Sequence, residues 1–475
     1  MVSDTCKQTI DTIFDSYNEC SEYKCIQQLK KRNFYQDPIT FKLCGEPNST
    51  ITDSSSQIES DNVYGVLMPI KFMLRKYFES DGMMDMVLKS LKFSTNGVFR
   101  SLIDGSIWQT RTSNMSCKTV IPINIFFDDF NTGDTASHHA KTTSICAIYL
   151  NIPCLPDYLL GRLSNILTVG FIKSQDRKKY SNEHVLYKLI EQLIDLEKEG
   201  LEISHNGTNI KVFVTLGFVL GDNLGVNGIL DFVECFRANF FCRVCKRNRT
   251  QTETDSREYL HTLRTYHSYE EDVQINLISQ TGLKGPSVFN RIPSFHVTFN
   301  FVFDIMHDLF EGVCLYDLQH MMHYFIYTKH YFNVKEFNDR KNGFDYGDQN
   351  ADNIIHDIQE HRIKSRKLKF SANETKTLIT LLPLIIGILV PEKDAVWLLL
   401  CTLIKIVHIC LLREIPFELV NELRTLINVH HVEYVNLFQD NLKPKHHNLL
   451  HYPTAILKGG ALRRHWSMRF EAKHK

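Results

Sequence analysis

Hydrophobic and polar positions divide the chain into regions of different rhythm. Residues 1–47 carry short helical stretches, and residues 48–62 are a polar run. That pattern predicts an N-terminal appendage joined by a polar linker. From residue 63 strand-length and helix-length segments are mixed. The stretch "PIKFMLRKYF" (69–78) has helical periodicity, and apolar runs at 97–103, 120–127 and 144–152 have strand length with turn residues beside them. A helix is expected over 182–200, where Leu186, Leu189, Ile190, Leu193, Ile194 and Leu196 supply the apolar positions. A strand follows over 210–220, ending in Gly221-Asp222, and then a helix over 223–238. Strands with no helix between them pair antiparallel, and a later strand can join in parallel through a helical crossover, so this order predicts a mixed sheet. Residues 250–290 are polar and irregular. Residues 300–440 read as helices, with Ser371 and Glu374 spaced as a capping box at the head of a leucine-rich helix. The fold class is therefore α/β (α+β): a first core part over 63–249, a helical insertion over 250–440, and a closing segment over 441–475.

Two apolar runs, 377–391 and 396–412, resemble membrane spans in composition. The first is short and holds Pro383, and the second holds Lys405 and His408. Both fall below the roughly 18 to 20 apolar residues that cross a bilayer, so both are expected to be buried helices and no membrane partner is expected. The first residues include acids and no apolar signal region. Thirteen cysteines, an odd number and scattered apart from one CxxC, fit a reduced intracellular chain better than a disulfide framework. Cys6, Cys20, Cys25 and Cys44 are irregularly spaced, which suits buried or free thiols better than a small zinc module. Lys plus Arg equals Asp plus Glu at 54 each, so a basic surface must be local. Residues 173–179, 243–249, 362–369 and 463–475 are the basic stretches available to a nucleic-acid backbone.

Three sets of residues carry chemistry. Asp104 and Asp222 each follow a predicted strand, and carboxylates meeting at one sheet edge make a hard oxygen site for Mg2+ or Mn2+. Asp128 and Asp129, after the second strand, compete with them; an Asp in such a place also serves as a turn or helix cap. "FFCRVCKR" (240–247) holds Cys242 and Cys245, half of a tetrahedral site. "PKHHNLLHYP" (444–453) offers His447 and His451 four apart on a helix face, or His446 and His451 five apart on a bent segment. A Cys2His2 zinc site built from these would staple distant parts of the chain. A catalytic zinc, with three protein ligands and an open position, suits four candidates less well.

In this order the residues resemble the catalytic region of DDE transposases of the CACTA (En/Spm) type, and the motif order is similar to the V(D)J recombinase core. The matching features are Ile103-Asp104-Gly105, Gly221-Asp222-Asn223, the CxxC pair, Asp304-Ile305-Met306-His307, the histidine pair, and W-x-x-R-F-E from Trp466 to Glu471. They cover about residues 90 to 475. The resemblance implies an RNase H-like mixed five-stranded sheet with a large all-helical insertion. It implies Asp104, Asp222 and Glu471 as the Mg2+- or Mn2+-binding catalytic triad, and Cys242, Cys245, His447 (or His446) and His451 as ligands of structural Zn2+. Asp304 and His307 would support packing near the site. It further implies cleavage of DNA and strand transfer by two-metal phosphoryl transfer, a nuclear location, DNA as partner with a homodimer as a further arrangement, and no small-molecule substrate. Four residues follow Glu471, about one helical turn, and the N-terminus offers no evident helix-turn-helix or zinc-finger array. A fragment, or a decayed or domesticated non-catalytic DNA-binding protein, is therefore the competing expectation.

Overall fold

The computed structural model of the chain describes residues 21–43, 63–92, 96–113, 118–131, 144–347 and 353–474. It is a mixed α/β structure, 54% helical. The strands are β1 (Ile39–Lys42), β2 (Tyr64–Leu67), β3 (Val98–Phe99), β4 (Thr119–Asn131), β5 (Ser144–Asn151), β6 (Leu167–Lys173), β7 (Leu201–His205), β8 (Thr208–Leu220) and β9 (Ile415–Pro416). The helices used below are α1 (Asn182–Lys198), α2 (Asn223–Ile229), α3 (Cys314–His323), α4 (Ala372–Ile386), α5 (Ala395–Leu411), α6 (Phe417–Phe438), α7 (Pro444–Leu450), α8 (Tyr452–Gly459) and α9 (Met468–Glu471). A π-helical segment, Met306–Val313, runs directly into α3.

The chain divides into two compact units. The first comprises Met1–Lys92, Met115–Leu216 and Arg291–Ser294. It holds a mixed, curled seven-stranded sheet in the order β1-β2-β6-β5-β4-β8-β7, whose strand β8 runs on to Leu220. β4, β5 and β6 form an antiparallel meander, with Phe126 opposite Tyr149 and Ile148 opposite Gly170. Every residue of β4 from Val120 to Phe127 is buried, so it reads as a continuous apolar run instead of an alternating one. α1 buries Val185, Leu186, Leu189, Ile190, Leu193 and Leu196, the stripe its spacing predicts. Full burial of each such side chain contributes roughly 2 kcal/mol.

The second unit comprises Phe93–Asn114, Gly217–Asn290 and Phe295–Lys475. Among the described residues its regular structure is mainly helical, with the end of β8 and the β3–β9 pair as its strands. Ser371 and Glu374 form the expected capping box on α4. α4 and its 3-10 extension span 18 residues, Ala372–Leu389, and are apolar enough by length and composition to cross a bilayer, which corrects the shorter span expected from sequence. Leu378, Ile379, Leu382, Ile385 and Ile386 are nonetheless buried, as in a core helix.

Several expectations change. The sheet has seven strands where five are implied. The appendage is not separate in its described part, because β1 pairs antiparallel with β2 from Ile39–Leu67 to Lys42–Tyr64. The linker and Cys6, Cys20 and Cys44 lie outside the described residues. The strand expected over 97–103 shrinks to two residues, so Asp104 does not end a strand; it sits in a 3-10 turn. The helix expected over 223–238 stops at Ile229, because Asp231 takes a left-handed conformation and Phe232 pairs with Leu283. The 93–114 stretch and residues 217–249 belong to the helical unit, not to the sheet unit.

Candidate metal centre

All the site residues lie in the second unit. Cys242 and Cys245 occupy the irregular chain after α2, where Val244 N–H donates to Cys242 Sγ at 3.3 Å. α7, begun by Pro444, places His447 on its last turn, and His451 follows between α7 and α8. The four side chains converge. Cys242 Sγ is 3.5 Å from His451 Nε2, Cys245 Sγ is 3.3 Å from His447 Nε2, and the two Nε2 atoms are 3.3 Å apart. Zinc bonds of about 2.3 Å to sulfur and about 2.05 Å to nitrogen, at tetrahedral angles, put sulfur and nitrogen about 3.5 Å apart and the nitrogens about 3.3 Å apart. The donor atoms of all four lie within 4.8 Å of one another, and all four residues are buried. These residues could bind a metal ion, and the set is compatible with structural Zn2+.

A carboxylate supports the centre from behind. Glu258 Oε1 accepts from His451 Nδ1 at 2.7 Å, and Glu258 Oε2 accepts from the hydroxyl of Thr454. With Nδ1 protonated, Nε2 of His451 turns its lone pair toward the cysteines. Burial works against charge here, yet the Cys242 sulfur and Glu258 push His451 up to about 9. Burial likewise opposes ionisation of Cys242, but the Cys245 hydrogen bond and the two histidines draw its thiol well below the usual range. Nδ1 of His447 is buried and has no hydrogen-bond partner. Sequence reading missed Glu258, since an acid 13 residues downstream of a CxxC carries no spacing signal.

The choice between His446 and His447 resolves structurally. His446 turns away, with Nε2 3.3 Å from Asp317 Oδ1, while its Nδ1 accepts from Lys443 N–H at 3.0 Å. Asp317 Oδ2 also accepts from His430 at 2.6 Å, and burial is outweighed by His430 and His446, which hold Asp317 down at about 2.

Between the two cysteines, Arg243 is buried and organises a polar network. Its guanidinium donates to Asn223 Oδ1 at 3.1 Å, Asn227 Oδ1 at 3.3 Å and the Val302 carbonyl at 2.9 Å. Asn223 donates to Asp308 Oδ1 at 2.6 Å, and Asn448 donates to the same oxygen at 3.0 Å. Three members neighbour a site residue in sequence: Asn223 follows Asp222, Asp308 follows His307, and Asn448 follows His447. Gly312 lets the π-helical segment approach α7, since a Cβ there would lie 2.4 Å from Lys445 Cδ.

The acidic candidates have separate fates. Asp222 lies just past β8, as expected, and its side chain caps α2 through Gly225 N–H. Asp104 is buried in a capping box; its Oδ2 accepts from Arg100 N–H at 3.1 Å and Ser101 N–H at 3.3 Å, and Arg100 grips both of its oxygens at 3.2 and 3.0 Å. Glu471 lies on α9 and faces His307, Oε1 to Nε2 3.5 Å. His307 Nδ1 donates to Asp304 Oδ2 at 2.6 Å, and Ser467 donates to Asp304 through N–H and hydroxyl. Burial lowers His307, but Asp304, Glu471 and Glu311 raise it to about 9; burial chiefly raises Glu471. Among the described residues, Cys242, Cys245, His447 and His451 are the only group of His, Cys, Asp or Glu that meets this closeness, so Asp104, Asp222 and Glu471 do not cluster in the same way.

The basic stretch 243–249 is largely spoken for. Lys246 pairs with Asp272 at 2.7 Å, Arg247 with Asp255 at 2.5 Å, and Arg249 with Glu253 at 3.1 Å. In 173–179, Arg177 pairs with Asp129 at 3.1 Å. The chain matches no family model and no curated protein.

Proposed function

We propose that the chain is a DDE transposase-like protein acting on DNA, with zinc as a structural staple. The observation that carries this reading is the convergence of Cys242 and Cys245 with His447 and His451 across 209 and 202 residues. That long-range pairing is what the resemblance implies and what a local finger would lack. Zinc, held by the two thiolates and two Nε2 atoms, would fix α7 and the following segment that bears Glu471. The β4-β5-β6 meander beside β8 supports an RNase H-like sheet with extra strands at its edges.

The donor chemistry fits Mg2+ or Mn2+ at Asp222 and Glu471, both hard oxygen ligands, and such ions would offset charge on the phosphate oxygens. Asp222 must then trade its cap on α2 for metal binding, and His307 must release or share Glu471. Asp104 fits poorly, because Arg100 and two backbone N–H groups already occupy its oxygens. Of the competing acids, Asp129 is held by Arg177 and by Ser174.

A DNA cleavage assay with Mn2+ tests the reading. Asp222→Ala and Glu471→Ala are each expected to lower cleavage by about a hundredfold or more; unchanged cleavage in both removes the metal-binding assignment. The second reading is a non-catalytic DNA-binding protein, favoured by the engagement of Asp104. DNA affinity without cleavage selects it. A nuclear location, with a homodimer as a further arrangement, belongs to the proposal.

A further inference from the structure

A cavity of about 220 Å³ opens in the second unit between α4, the end of α5 and the segment before α9. Lys376, Thr380, Leu381, Leu411, Arg463 and Trp466 line it. The chemistry of this lining is unusual for a packing defect. The Arg463 guanidinium carbon stands 5.6 Å from the centre of the Trp466 ring, and Arg463 Nη1 donates to the Leu411 carbonyl at 3.3 Å. Lys376 is half-buried, and among the described residues it has no ion-pair partner. Burial and the neighbouring Arg463 cation together lower its ammonium. Two cations are thus held together beside an indole face, with leucines closing the remaining wall.

An anion would relieve the repulsion between Lys376 and Arg463, the Arg463 guanidinium contributing its charge while Nη1 stays on the Leu411 carbonyl. A flat ring would stack against Trp466 and displace water from Leu381 and Leu411. The volume falls below the roughly 300 Å³ at which drug-sized pockets begin, and suits one small unit. A phosphate joined to a heteroaromatic ring satisfies all three features. We infer that this cavity binds one nucleotide unit, the ring against Trp466 and the phosphate at Lys376 and Arg463. The inference rests on the nucleic-acid reading for its source, a DNA strand; a free mononucleotide has the same chemistry. The cavity also adjoins the acidic cluster in sequence, since Ser467, next to Trp466, bonds Asp304, which holds His307 against Glu471.

The chain contains three tryptophans, and Trp108 and Trp397 are 5% and 9% exposed, so quenching by an added polar ligand reports mainly Trp466. The full chain is titrated with single-stranded oligothymidylate, with deoxyadenosine monophosphate and with inorganic phosphate, without added Mg2+ or Mn2+. Saturable quenching by the oligonucleotide is expected, and its loss in Trp466→Phe assigns the signal. Trp466→Ala is expected to weaken strand binding by about tenfold. Lys376→Gln is expected to lower the slope of log affinity against log salt by about one, which loss of packing alone would not do. Zinc content equal to that of the parent verifies folding of each variant. Quenching by the monophosphate but not by the strand keeps the nucleotide site and makes the free nucleotide its ligand.

Three results overturn the inference: strand binding by anisotropy with Trp466 emission unmoved and the salt slope of Lys376→Gln unchanged, equal quenching by inorganic phosphate and the monophosphate, or no response to any ligand. Failure of the transposase reading is distinguishable, because it appears as absent cleavage while the Trp466 signal persists.

Discussion

Glu258 accepts a 2.7 Å hydrogen bond from Nδ1 of His451, and both side chains are almost fully buried. Such a partner orients the imidazole and raises its basicity toward a metal. Glu258→Gln is therefore expected to weaken zinc affinity by about 10- to 100-fold while leaving the helical content intact. Chelator competition against a colorimetric zinc indicator measures it, and unaltered affinity would detach Glu258 from the centre.

Removal of the metal should destabilise the second unit as a whole. One zinc per chain is expected by elemental analysis of the purified protein, falling to none in a Cys242→Ser, His451→Ala double variant. Zinc at a thousandfold excess over its dissociation constant stabilises by about 4 kcal/mol. A thermal melt unaffected by chelation would contradict the stapling role.

Arg243 contributes through what it leaves behind. Arg243→Ala strands the carbonyl of Val302 and the side chains of Asn223 and Asn227 in a buried space. Breaking a buried charged network in this way costs about 3 to 5 kcal/mol. Denaturant unfolding with an unchanged midpoint would refute the network's importance.

His307 predicts a pH dependence with a definite sign. Its imidazole is raised from the usual 6.5 to about 9, with burial opposed by Asp304, Glu471 and Glu311. A raised cationic group stabilises fully below the unfolded value, and the contribution is lost as pH rises through the folded one. Stability should fall between about pH 6.5 and 9, by at most about 3 kcal/mol. Asp304→Asn should flatten that decline; an identical profile in this variant would separate the two residues.

Asp104→Asn distinguishes cap from catalyst. Its bonds to Arg100, Ser101 and the turn predict a stability loss of about 1 to 3 kcal/mol. If the side chain is only a cap, cleavage by the folded fraction stays unchanged. A specific loss of cleavage at full stability would return Asp104 to the metal site.

Periodicity made the long elements legible. The stripe of α1, the capping box of α4, the core strand β4 and β5 are where the pattern puts them, because long runs average over local exceptions. Short strands were not legible in the same way, β7 having only five residues. Its signal was the turn: Asn206 and Gly207 both have positive φ, 49° and 77°, and Asn-Gly at that place marks a tight hairpin joining β7 to β8. In the site, residue type and motif order singled out the cysteines and histidines, but not Glu258, Arg243 or Asn223. Those act through contacts at sequence separations that no local pattern encodes. Asp104 misled for the opposite reason. A short apolar run before Asp-Gly reads as a strand end, whereas Gly105 is required by packing, since a Cβ there would lie 2.0 Å from the Lys458 carbonyl.

The span of the metal centre also orders events during synthesis. Cys242 and Cys245 leave the ribosome more than 200 residues before His447 and His451, given separations of 209 and 202. At about 5 to 20 residues per second this is a wait of roughly 10 to 40 s. Through that interval the nascent chain exposes a thiol pair with an incomplete set of partners. If the site takes zinc as proposed, an ion captured early would be held by two ligands or by borrowed ones, and the centre would be completed only once the chain is translated past His451.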